Sequence, residues 1–409
     1  MSKMFFYFFI LGRNPRLSII EILRYLTTKE IKSQIINLIG SALVIETETT
    51  LNIRNCADVL AGTIKIGRIW VMSQEQDIDN LLQTASFYLE DGNTLKYSVE
   101  CYGNLNKLKH YQRLFKQIFK DMRQKAIKKN IPPHALSNAL QTPLFIDVVI
   151  IEDESGNIYV GRTVGAHDIS LNKKKYEKRP YIDKKIGTSI RLSRILVNFC
   201  GLKPEQSLLD PFCGIGTILQ EALLLGFDAI GIDLEKMRIS QCEKNLEWVK
   251  KTFTAKGNYE LFKGNATNLS SFLDKNSIDG IVTEPELGPF LRDLPTIKEA
   301  LKIKRKLQSL YERFFVAVDK ILKDNGKIVI VLPQFETKTG EIIDIAIEEI
   351  IGNTRLRIYD MKREKLFFKE TQADKINRQL QTALEIPLEY SEKWHRLHRL
   401  IYLLEKREL

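Results

Sequence analysis

The sequence lacks the features that mark several common protein classes. Its five cysteines are scattered along 409 residues without a Cys-x-x-Cys pair, so neither a zinc site nor a disulfide framework is indicated. No segment approaches the ~20 consecutive apolar residues that span a bilayer. Internal repeats and low-complexity tracts are also absent. We therefore expect a cytoplasmic protein with no metal site and no membrane insertion.

Size and charge indicate several domains and a polyanionic partner. An apolar content of 44% in a chain of this length is enough for two or three packed domains. Lys and Arg number 62 against 51 Asp and Glu, for a net charge of +11. Such an excess favours binding to phosphate groups through release of their counterions.

The segment from Ser207 to Asp233 has the pattern of a nucleoside-binding βαβ unit. A short apolar strand ends on Asp210, and Gly214 and Gly216 allow a tight turn into a helix. A second buried strand then ends on Asp233. The alternative interpretation is an ordinary βαβ unit whose glycines only pack.

The spacing within this unit indicates which nucleoside would bind. The sequence DPFCGIGT has no third glycine in register, so it does not match the GxGxxG loop that holds a pyrophosphate. Asp210 can face a cationic amino-acid group, and Asp233 can accept hydrogen bonds from both ribose hydroxyls. S-adenosylmethionine carries both groups, and we expect it as the cofactor.

DPFCGIGT also resembles motif I of the Rossmann-like nucleic-acid methyltransferases that modify exocyclic amino groups of bases. The segment ahead of it resembles the lead-in helix of the THUMP-domain tRNA guanine methyltransferases, and LGRNPRLSIIEI resembles the opening of that family. The lead-in positions that match are Arg179, Pro180, Gly187, Leu192, Arg194 and Asn198. The resemblance implies an α/β fold with a Rossmann-like seven-stranded methyltransferase domain, preceded by an α+β ferredoxin-like and THUMP region.

The resemblance also assigns residues to the cofactor. After a third strand, Gly264 and Asn265 stand where the family places a residue that hydrogen-bonds the adenine; the alternative is a simple turn with Asn268. The full predicted set is Asp210, Cys213, Gly214, Gly216, Thr217, Asp233, Asn265 and Ala266. Cys213 lies inside the turn and is expected to pack there, not to act as a nucleophile.

The fourth strand, Gly280 to Thr283, leads into the expected catalytic turn. Related amino-methyltransferases show Asp/Asn-Pro-Pro-Tyr/Phe here, in which the acid or amide and a backbone carbonyl hold the target amine. This chain keeps an acid, Glu284, and Pro285, which we expect to be catalytic. It departs at Glu286 and Leu287, so base stacking would have to come from elsewhere, and Phe290 is the nearest aromatic residue.

RNA contacts are expected in two basic segments. A helix predicted over 106–129 carries basic residues on the face opposite its apolar side, among them Lys109, Arg113, Lys116, Lys120 and Arg123. The linker 172–185 interleaves basic residues such as Arg179 with tyrosines, which suits a nucleic-acid strand. A solvated basic helix face and a flexible linker are the alternatives.

These patterns divide the chain into four parts. Residues 1–72, in which the apolar run Met4 to Leu11 is read as a buried strand, are expected to form a ferredoxin-like unit. Residues 73–171 form a THUMP-like RNA-binding unit, 172–185 a basic linker and 186–409 the methyltransferase domain. In the front half, strands are predicted at Phe5–Leu11, Ser41–Glu46, Thr63–Met72, Leu95–Cys101, Leu144–Ile151 and Ile158–Val164.

The resemblance thus implies a tRNA methyltransferase that methylates N2 of a guanine near position 10 by direct transfer. An rRNA or DNA amino-methyltransferase and a catalytically impaired RNA-binding homologue are the alternatives, because the catalytic turn departs from the usual pattern. The sequence leaves open whether a small activator protein takes part, whether one or two methyl groups are added, and whether the chain is a monomer or a homodimer.

Overall fold

The computed structural model of the chain describes residues 4–74, 77–84, 94–183, 188–361, 380–391 and 397–408. These residues form two compact units. The first contains the chain up to Leu171 together with 380–383, and the second contains the described residues from Asn172 onward apart from those. No helix among the described residues is long and apolar enough to cross a membrane.

The first unit is built on one eight-stranded sheet. Its strands are β1 Phe5–Leu11, β2 Ser33–Ile39, β3 Ala42–Thr47, β4 Thr63–Gln74, β5 Leu95–Gly103, β6 Ala126–Lys128, β7 Phe145–Glu152 and β8 Asn157–Ala166, in the spatial order β2-β3-β1-β4-β8-β7-β5-β6. Its helices are α1 Pro15–Thr28, α2 Ile53–Val59, α3 Ile78–Thr84, α4 Leu108–Asp121 and α5 Pro133–Leu140. All six strands predicted for this half are present, and β2 and β6 are additional.

The pairing of β4 bears on the expected boundary after Met72. That boundary lies inside β4, which pairs with β1 on one side and β8 on the other. Residues on both sides of position 72 therefore share one strand and one sheet. The subdivision into ferredoxin-like and THUMP-like parts stays a prediction. The expected linker is partly helical, because α6 covers Ile169–Glu177.

The predicted helix over 106–129 is shorter than its apolar periodicity indicated. α4 ends at Asp121, and Arg123 adopts a left-handed conformation with φ of 54°. The amide nitrogen of Gln124 donates to the Phe119 carbonyl at 2.9 Å and that of Arg123 to the Lys120 carbonyl at 2.9 Å. This paired closure is a Schellman motif, which satisfies the last carbonyls of the helix and turns the chain into β6.

The second unit contains the expected seven-stranded sheet. Its strands are β9 Ser207–Asp210, β10 Asp228–Asp233, β11 Tyr259–Lys263, β12 Ile278–Thr283, β13 Leu322–Glu336, β14 Ile342–Asp344, β15 Leu356–Ile358, β16 Leu388–Tyr390 and β17 Leu397–Lys406. The main path runs β11-β10-β9-β12-β13-β17-β15, and β14 and β16 extend it beside β13 and β17. Its helices are α7 Ile190–Cys200, α8 Thr217–Leu225, α9 Lys236–Phe253, α10 Ile297–Ile321 and α11 Ile347–Ile351.

The strand order places a ligand site at one edge of this sheet. β10, β9, β12 and β13 are parallel, and the order reverses between β9 and β12. In open α/β sheets, ligands bind beyond the carboxyl ends of the strands at such a reversal. Asp210, Asp233 and Glu284 lie at or next to the carboxyl ends of β9, β10 and β12. The fold therefore gathers at one edge the three carboxylates that the sequence singled out.

Candidate active site

The turn between β9 and α8 depends on two glycines. Gly214 and Gly216 adopt φ values of 54° and 83°, which side chains rarely tolerate. A Cβ atom on Gly216 would lie 2.5 Å from Cys242 Sγ, whereas no atom lies within 4 Å of a Cβ built on Gly214. The turn is therefore tightly packed at Gly216 and open at Gly214, where a ligand can approach the backbone.

Asp233 fixes this turn to the end of β10. Its Oδ2 atom accepts a hydrogen bond from the Gly214 amide at 2.9 Å, and its Oδ1 atom accepts one from the Glu235 amide at 2.9 Å. A carboxylate oxygen can accept more than one hydrogen bond. Each oxygen therefore keeps a lone pair for the two hydroxyls of a ribose.

Asp210 is a buried carboxylate with one oxygen still available. Its Oδ1 atom accepts hydrogen bonds from Thr283 Oγ1 at 2.7 Å and from the Phe212 amide at 3.2 Å, and no described residue donates to Oδ2. Burial raises the pKa of Asp210 to about 7, and the negative charges of Asp233 and Glu284 add to the rise. A cationic group bound at Oδ2 would stabilise the ionised form, so this position fits the amino group of S-adenosylmethionine.

Glu284 is held by two side chains that sequence reasoning did not identify. Arg399 Nε donates to Oε1 at 2.5 Å, and the Thr188 hydroxyl donates to Oε2. The Arg399 and Glu284 side chains are only 6% and 9% exposed. Arg399 lies on β17, which pairs with β13 next to β12. The guanidinium thus balances the charge of Glu284 and limits the directions in which its carboxylate can point.

A cavity of about 160 Å³ is lined both by Glu284 and by the turn between β9 and α8, which we call the cofactor turn. Its lining residues are Asp183, Thr188, Asp210, Phe212, Cys213, Gly214, Ile215, Thr217, Ile218, Arg238 and Glu284. Five of these, Asp210, Cys213, Gly214, Thr217 and Glu284, were predicted from the sequence. Asp183 and Arg238, which form a 3.0 Å ion pair, were not predicted, because neither belongs to a recognisable motif.

The remaining predicted cofactor residues lie outside this cavity. Asn265 is exposed, and its Oδ1 atom accepts hydrogen bonds from the Thr267 amide and hydroxyl at 3.0 and 2.9 Å, so the residue does form a turn. Its amide nitrogen has no acceptor among the described residues. Ala266 is buried. The Gly264 amide donates to the Asp233 carbonyl at 2.9 Å, which ties this turn to the end of β10. Contact of Asn265 with adenine stays a prediction.

The other positions of the catalytic turn have defined surroundings. Pro285 is buried, and its carbonyl accepts no hydrogen bond from the part of the chain that the structure describes. Glu286 forms an ion pair with Lys306 at 3.1 Å, and its carbonyl accepts a hydrogen bond from Tyr311 Oη at 2.5 Å. Glu286 thus anchors the turn to α10. Phe290 is 75% exposed.

Cys213 has the surroundings of a packing residue. It is 5% exposed, and its amide donates to the Ile232 carbonyl at 3.0 Å. A hydrogen bond with Cys242, together with burial, raises the pKa of the Cys213 thiol well above its ordinary value. Because the thiolate is the nucleophilic form, a thiol held protonated in this way is inert.

The predicted RNA contacts separate into two groups. Lys109, Arg113, Lys116, Lys120 and Arg123 are all exposed, and none forms an ion pair with a described residue. Arg179, by contrast, is 4% exposed and donates to Thr217 Oγ1 at 3.0 Å. Its expected role in RNA binding is therefore corrected: the side chain is buried beside the cofactor turn and has no access to a phosphate backbone.

Comparisons with known proteins agree with this geometry. The family model described as an RMKL-like methyltransferase domain matches residues 184–348. A tRNA (guanine(10)-N2)-dimethyltransferase of Methanothermobacter thermautotrophicus is 30% identical over 165 residues, which cover 40% of this chain and 44% of that protein. The enzyme of that name from Methanocaldococcus jannaschii is 28% identical over 210 residues, covering 49% and 52%. The chain thus spans about half the length of these relatives.

Two further matches extend the comparison. A probable tRNA (guanine(10)-N2)-dimethyltransferase of Methanothermococcus thermolithotrophicus is 30% identical over 142 residues, covering 34% of this chain and 77% of that sequence. The crystal structure of TrmN from Thermus thermophilus has a TM-score of 0.51 at 12% identity and covers 98% of this chain and 99% of its own. At that identity, the likeness to TrmN concerns the fold alone.

Fold, site and family model together define a Rossmann-like methyltransferase domain with residues that could hold S-adenosylmethionine. The open turn at Gly214, the available oxygen of Asp210 and the fixed carboxylate of Asp233 fit that cofactor. The chain belongs to the family of the tRNA (guanine(10)-N2)-dimethyltransferases.

Proposed function

We propose that this chain transfers a methyl group from S-adenosylmethionine to the exocyclic N2 atom of a guanine in tRNA, with guanine 10 as the target. The observation that carries the proposal is the single cavity lined by Asp210, Gly214 and Glu284. The lining of this cavity includes groups that could hold the cofactor and an acceptor for an amine. The names of the relatives support tRNA as substrate and position 10 as the site.

On the cofactor side, the chain contributes binding and orientation. The cofactor supplies an electrophilic methyl group attached to a sulfonium. Asp210 would accept hydrogen bonds from its amino group, and Asp233 would accept them from the ribose hydroxyls. The left-handed conformation of Gly214 keeps the backbone open on that side. These contacts hold the donor at one place relative to the strand ends.

On the substrate side, Glu284 and the Pro285 carbonyl would hold the two hydrogens of the guanine amine. The donors already bound to Glu284 leave one lone pair on each carboxylate oxygen. With both hydrogens held, the nitrogen lone pair is directed at the methyl group, and orientation of this kind lowers the barrier strongly. One amine proton would pass to the Glu284 carboxylate as the N–C bond forms and the bond from the methyl carbon to the sulfonium sulfur breaks. No covalent enzyme intermediate is needed.

The substrate must also be held and opened. A base can reach this pocket only after leaving its stack, which requires contacts elsewhere on the RNA. The exposed basic residues of α4 would provide phosphate contacts in the first unit. The five cysteines are free and buried, which suits the reducing cytoplasm that we propose as the site of action.

Nucleoside analysis tests the proposed reaction directly. The chain is incubated with a tRNA transcript and S-adenosylmethionine labelled in its methyl group, and the digested RNA is examined for N2-methylguanosine and N2,N2-dimethylguanosine. A matched transcript carries inosine at position 10, which lacks the exocyclic amine. We expect label in the guanosine transcript and none in the inosine transcript. Equal labelling of both would contradict guanine 10 as target.

A catalytically impaired RNA-binding protein is the second candidate. It is favoured by the ion pair that already engages Glu284 and by the missing aromatic residue after Pro285. In that case, tRNA would bind with ordinary affinity while neither transcript received label. Binding without labelling would replace the enzymatic proposal by this one.

A further inference from the structure

A groove of about 650 Å³ opens beside the catalytic turn, between the loop 286–295 and the first turns of α10. We propose that this groove binds a nucleotide of the RNA strand next to the target base, with the base against Phe290 and the phosphate among the basic residues of the rim. The inference rests on the proposed function, since it assumes an RNA substrate. It assigns a second contact surface to the methyltransferase unit itself.

The walls of the groove are held in place without a ligand. The loop is tied to α10 by the Tyr311 contact to the Glu286 carbonyl and by the Glu286–Lys306 ion pair at 3.1 Å. At its other end, the Lys338 amide donates to the Pro295 carbonyl at 2.9 Å. The site is therefore preformed, and binding of a nucleotide would lose little free energy to ordering of the protein.

Close packing of the loop on α10 forms the apolar floor. Gly288 has a φ of 102°, and a Cβ atom on it would lie 3.0 Å from Ile303 Cγ2. Ile303 and Leu291 are partly buried and Leu307 is fully buried beneath the groove. Phe290, at 75% exposure, rises beside this floor. An exposed ring next to an apolar surface suits base stacking, which tolerates any base.

The charges on the rim favour phosphate. Arg292, Lys302 and Lys338 are exposed, and none has an ion pair with any residue that the structure describes. The lining has three acidic residues: Glu286 is paired with Lys306, Glu299 accepts hydrogen bonds from the amide and hydroxyl of Thr296, and Asp293 is exposed. With Lys306 included, the four basic residues of the lining exceed the acidic ones by one.

The groove lies next to the cofactor cavity because the residues that line the two are neighbours in the chain. Glu284 lines the cofactor cavity and Glu286 lines the groove, with Pro285 between them. A strand that delivers a base to Glu284 has its next nucleotide within reach of Glu286 and Phe290. The volume lies within the ~300–1,000 Å³ of ordinary small-ligand sites, which suits one nucleotide.

Binding of a fluorescein-labelled tRNA transcript tests this inference without requiring turnover. Dissociation constants and their salt dependence are measured for the wild type, Phe290→Ala, the double variant Lys302→Ala/Lys338→Ala, and the control Lys320→Ala. Lys320 is exposed near the opposite end of α10, about 27 Å along the helix from Lys302. Cofactor affinity of each variant serves as the control for folding.

We expect both groove variants to bind the transcript about tenfold more weakly, with cofactor affinity and the Lys320 variant unchanged. The double variant should also lower the slope of log K against log salt by about 0.7, since one phosphate contact to a single strand contributes about that much. Equal dissociation constants for all four proteins would overturn the groove proposal. Failure of the wild type to methylate tRNA would overturn the proposed function alone.

Discussion

At the residue scale, the site contains three carboxylates that are held by different kinds of donor. Backbone amides hold Asp233, a hydroxyl and an amide hold Asp210, and a guanidinium and a hydroxyl hold Glu284. Only Glu284 has a full opposite charge against it, supplied by Arg399. Arg399 therefore compensates the charge of Glu284 directly, whereas burial raises the pKa of Asp210, which has no cation against it among the described residues.

Asp210 should make cofactor binding dependent on pH. Because burial raises its pKa to about 7, the carboxylate takes up a proton and loses its charge as the pH falls through 7. The affinity of the wild type for S-adenosylmethionine should fall by up to about tenfold per pH unit below that point. Asp210→Asn should bind weakly at every pH. Titration calorimetry between pH 5.5 and 8.5 measures both, and a wild-type affinity that does not change with pH would contradict the assignment.

The same shift predicts the sign of a stability effect. A carboxyl whose pKa rises from 3.8 unfolded to about 7 folded binds more protons in the folded state between these values, so its contribution to stability falls as the pH rises through this window. Without cofactor at pH 8, Asp210→Asn should therefore unfold at the same temperature as the wild type or above it. Thermal unfolding followed by circular dichroism checks this. A clearly lower unfolding midpoint for Asp210→Asn than for the wild type would contradict the raised pKa of Asp210.

Arg399 should support both stability and turnover. Arg399→Ala leaves Glu284 without its counter-charge in a buried site, which is expected to lower the free energy of unfolding by about 3–5 kcal/mol. Combining Glu284→Gln with Arg399→Met removes both charges and should recover most of that loss while methyl transfer stays absent. Chemical denaturation and single-turnover rates separate the two effects. Full activity in Arg399→Ala would show that Glu284 needs no positioning.

At the scale of elements, the site is made by turns that follow parallel strands. The turn after β9 forms the proposed cofactor side, and the loop after β12 forms the proposed amine side and one wall of the groove. Both are fixed by contacts with neighbouring helices, Gly216 against α9 and the Glu286 carbonyl against α10. Rigid turns of this kind keep donor and acceptor at a constant separation.

Two glycine variants test the packing of the first turn. Gly216→Ala and Gly226→Ala share nearly the same φ, 83° and 86°, but only the Cβ atom on Gly216 meets a neighbour, Cys242 Sγ at 2.5 Å. Backbone strain of about 1–2 kcal/mol should be common to both. Gly216→Ala should lose more stability and also weaken cofactor binding, as denaturation and calorimetry would detect. Equal losses would mean that the contact with Cys242 is unimportant.

The sequence predicted the local parts of this arrangement and missed the distant ones. Asp210, Asp233 and Glu284 each end or follow a short buried strand, so their positions could be recognised from neighbouring residues. Thr188 and Arg399 reach Glu284 across 96 and 115 residues of chain, and no local pattern marks them. Arg179 was predicted to contact RNA because it lies in a basic segment interleaved with tyrosines, although its side chain is buried.

The length of α4 shows the limit of periodicity. Apolar residues continue at helical spacing after Asp121, yet the helix ends there because Arg123 adopts a left-handed conformation that glycine usually supplies. The residues beyond it pair with β5 instead. The spacing of apolar residues identifies the buried face of a helix. It does not show at which residue other hydrogen bonds end the helix.

At the scale of the whole molecule, two compact units divide the proposed tasks. The second contains the cofactor turn, Glu284 and the groove, and the first contains the exposed basic face of α4. The net charge of +11 agrees with a polyanionic substrate but is spread over the whole chain. Particular lysines must therefore be tested.

Removing charge from α4 should weaken RNA binding and leave chemistry intact. The triple variant Lys109→Ala/Lys116→Ala/Lys120→Ala should raise KM for tRNA with little change in kcat, because these residues belong to the other unit from the cofactor turn. Lys29→Ala, an exposed lysine of the same unit, is the control. Steady-state kinetics at several salt concentrations measure the effect. An unchanged KM would indicate a solvated face with no RNA contact.

The central claim is that Asp233 holds the cofactor and Glu284 the amine at the same edge of one sheet. The most direct test compares cofactor affinity and single-turnover methyl transfer to tRNA in Asp233→Ala and Glu284→Gln. We predict that Asp233→Ala weakens cofactor binding by about tenfold or more, corresponding to about 1.4 kcal/mol. Glu284→Gln should bind cofactor and tRNA as the wild type does and methylate at least about a hundredfold more slowly. Equal losses of cofactor binding in both variants, or wild-type transfer by Glu284→Gln, would contradict the account.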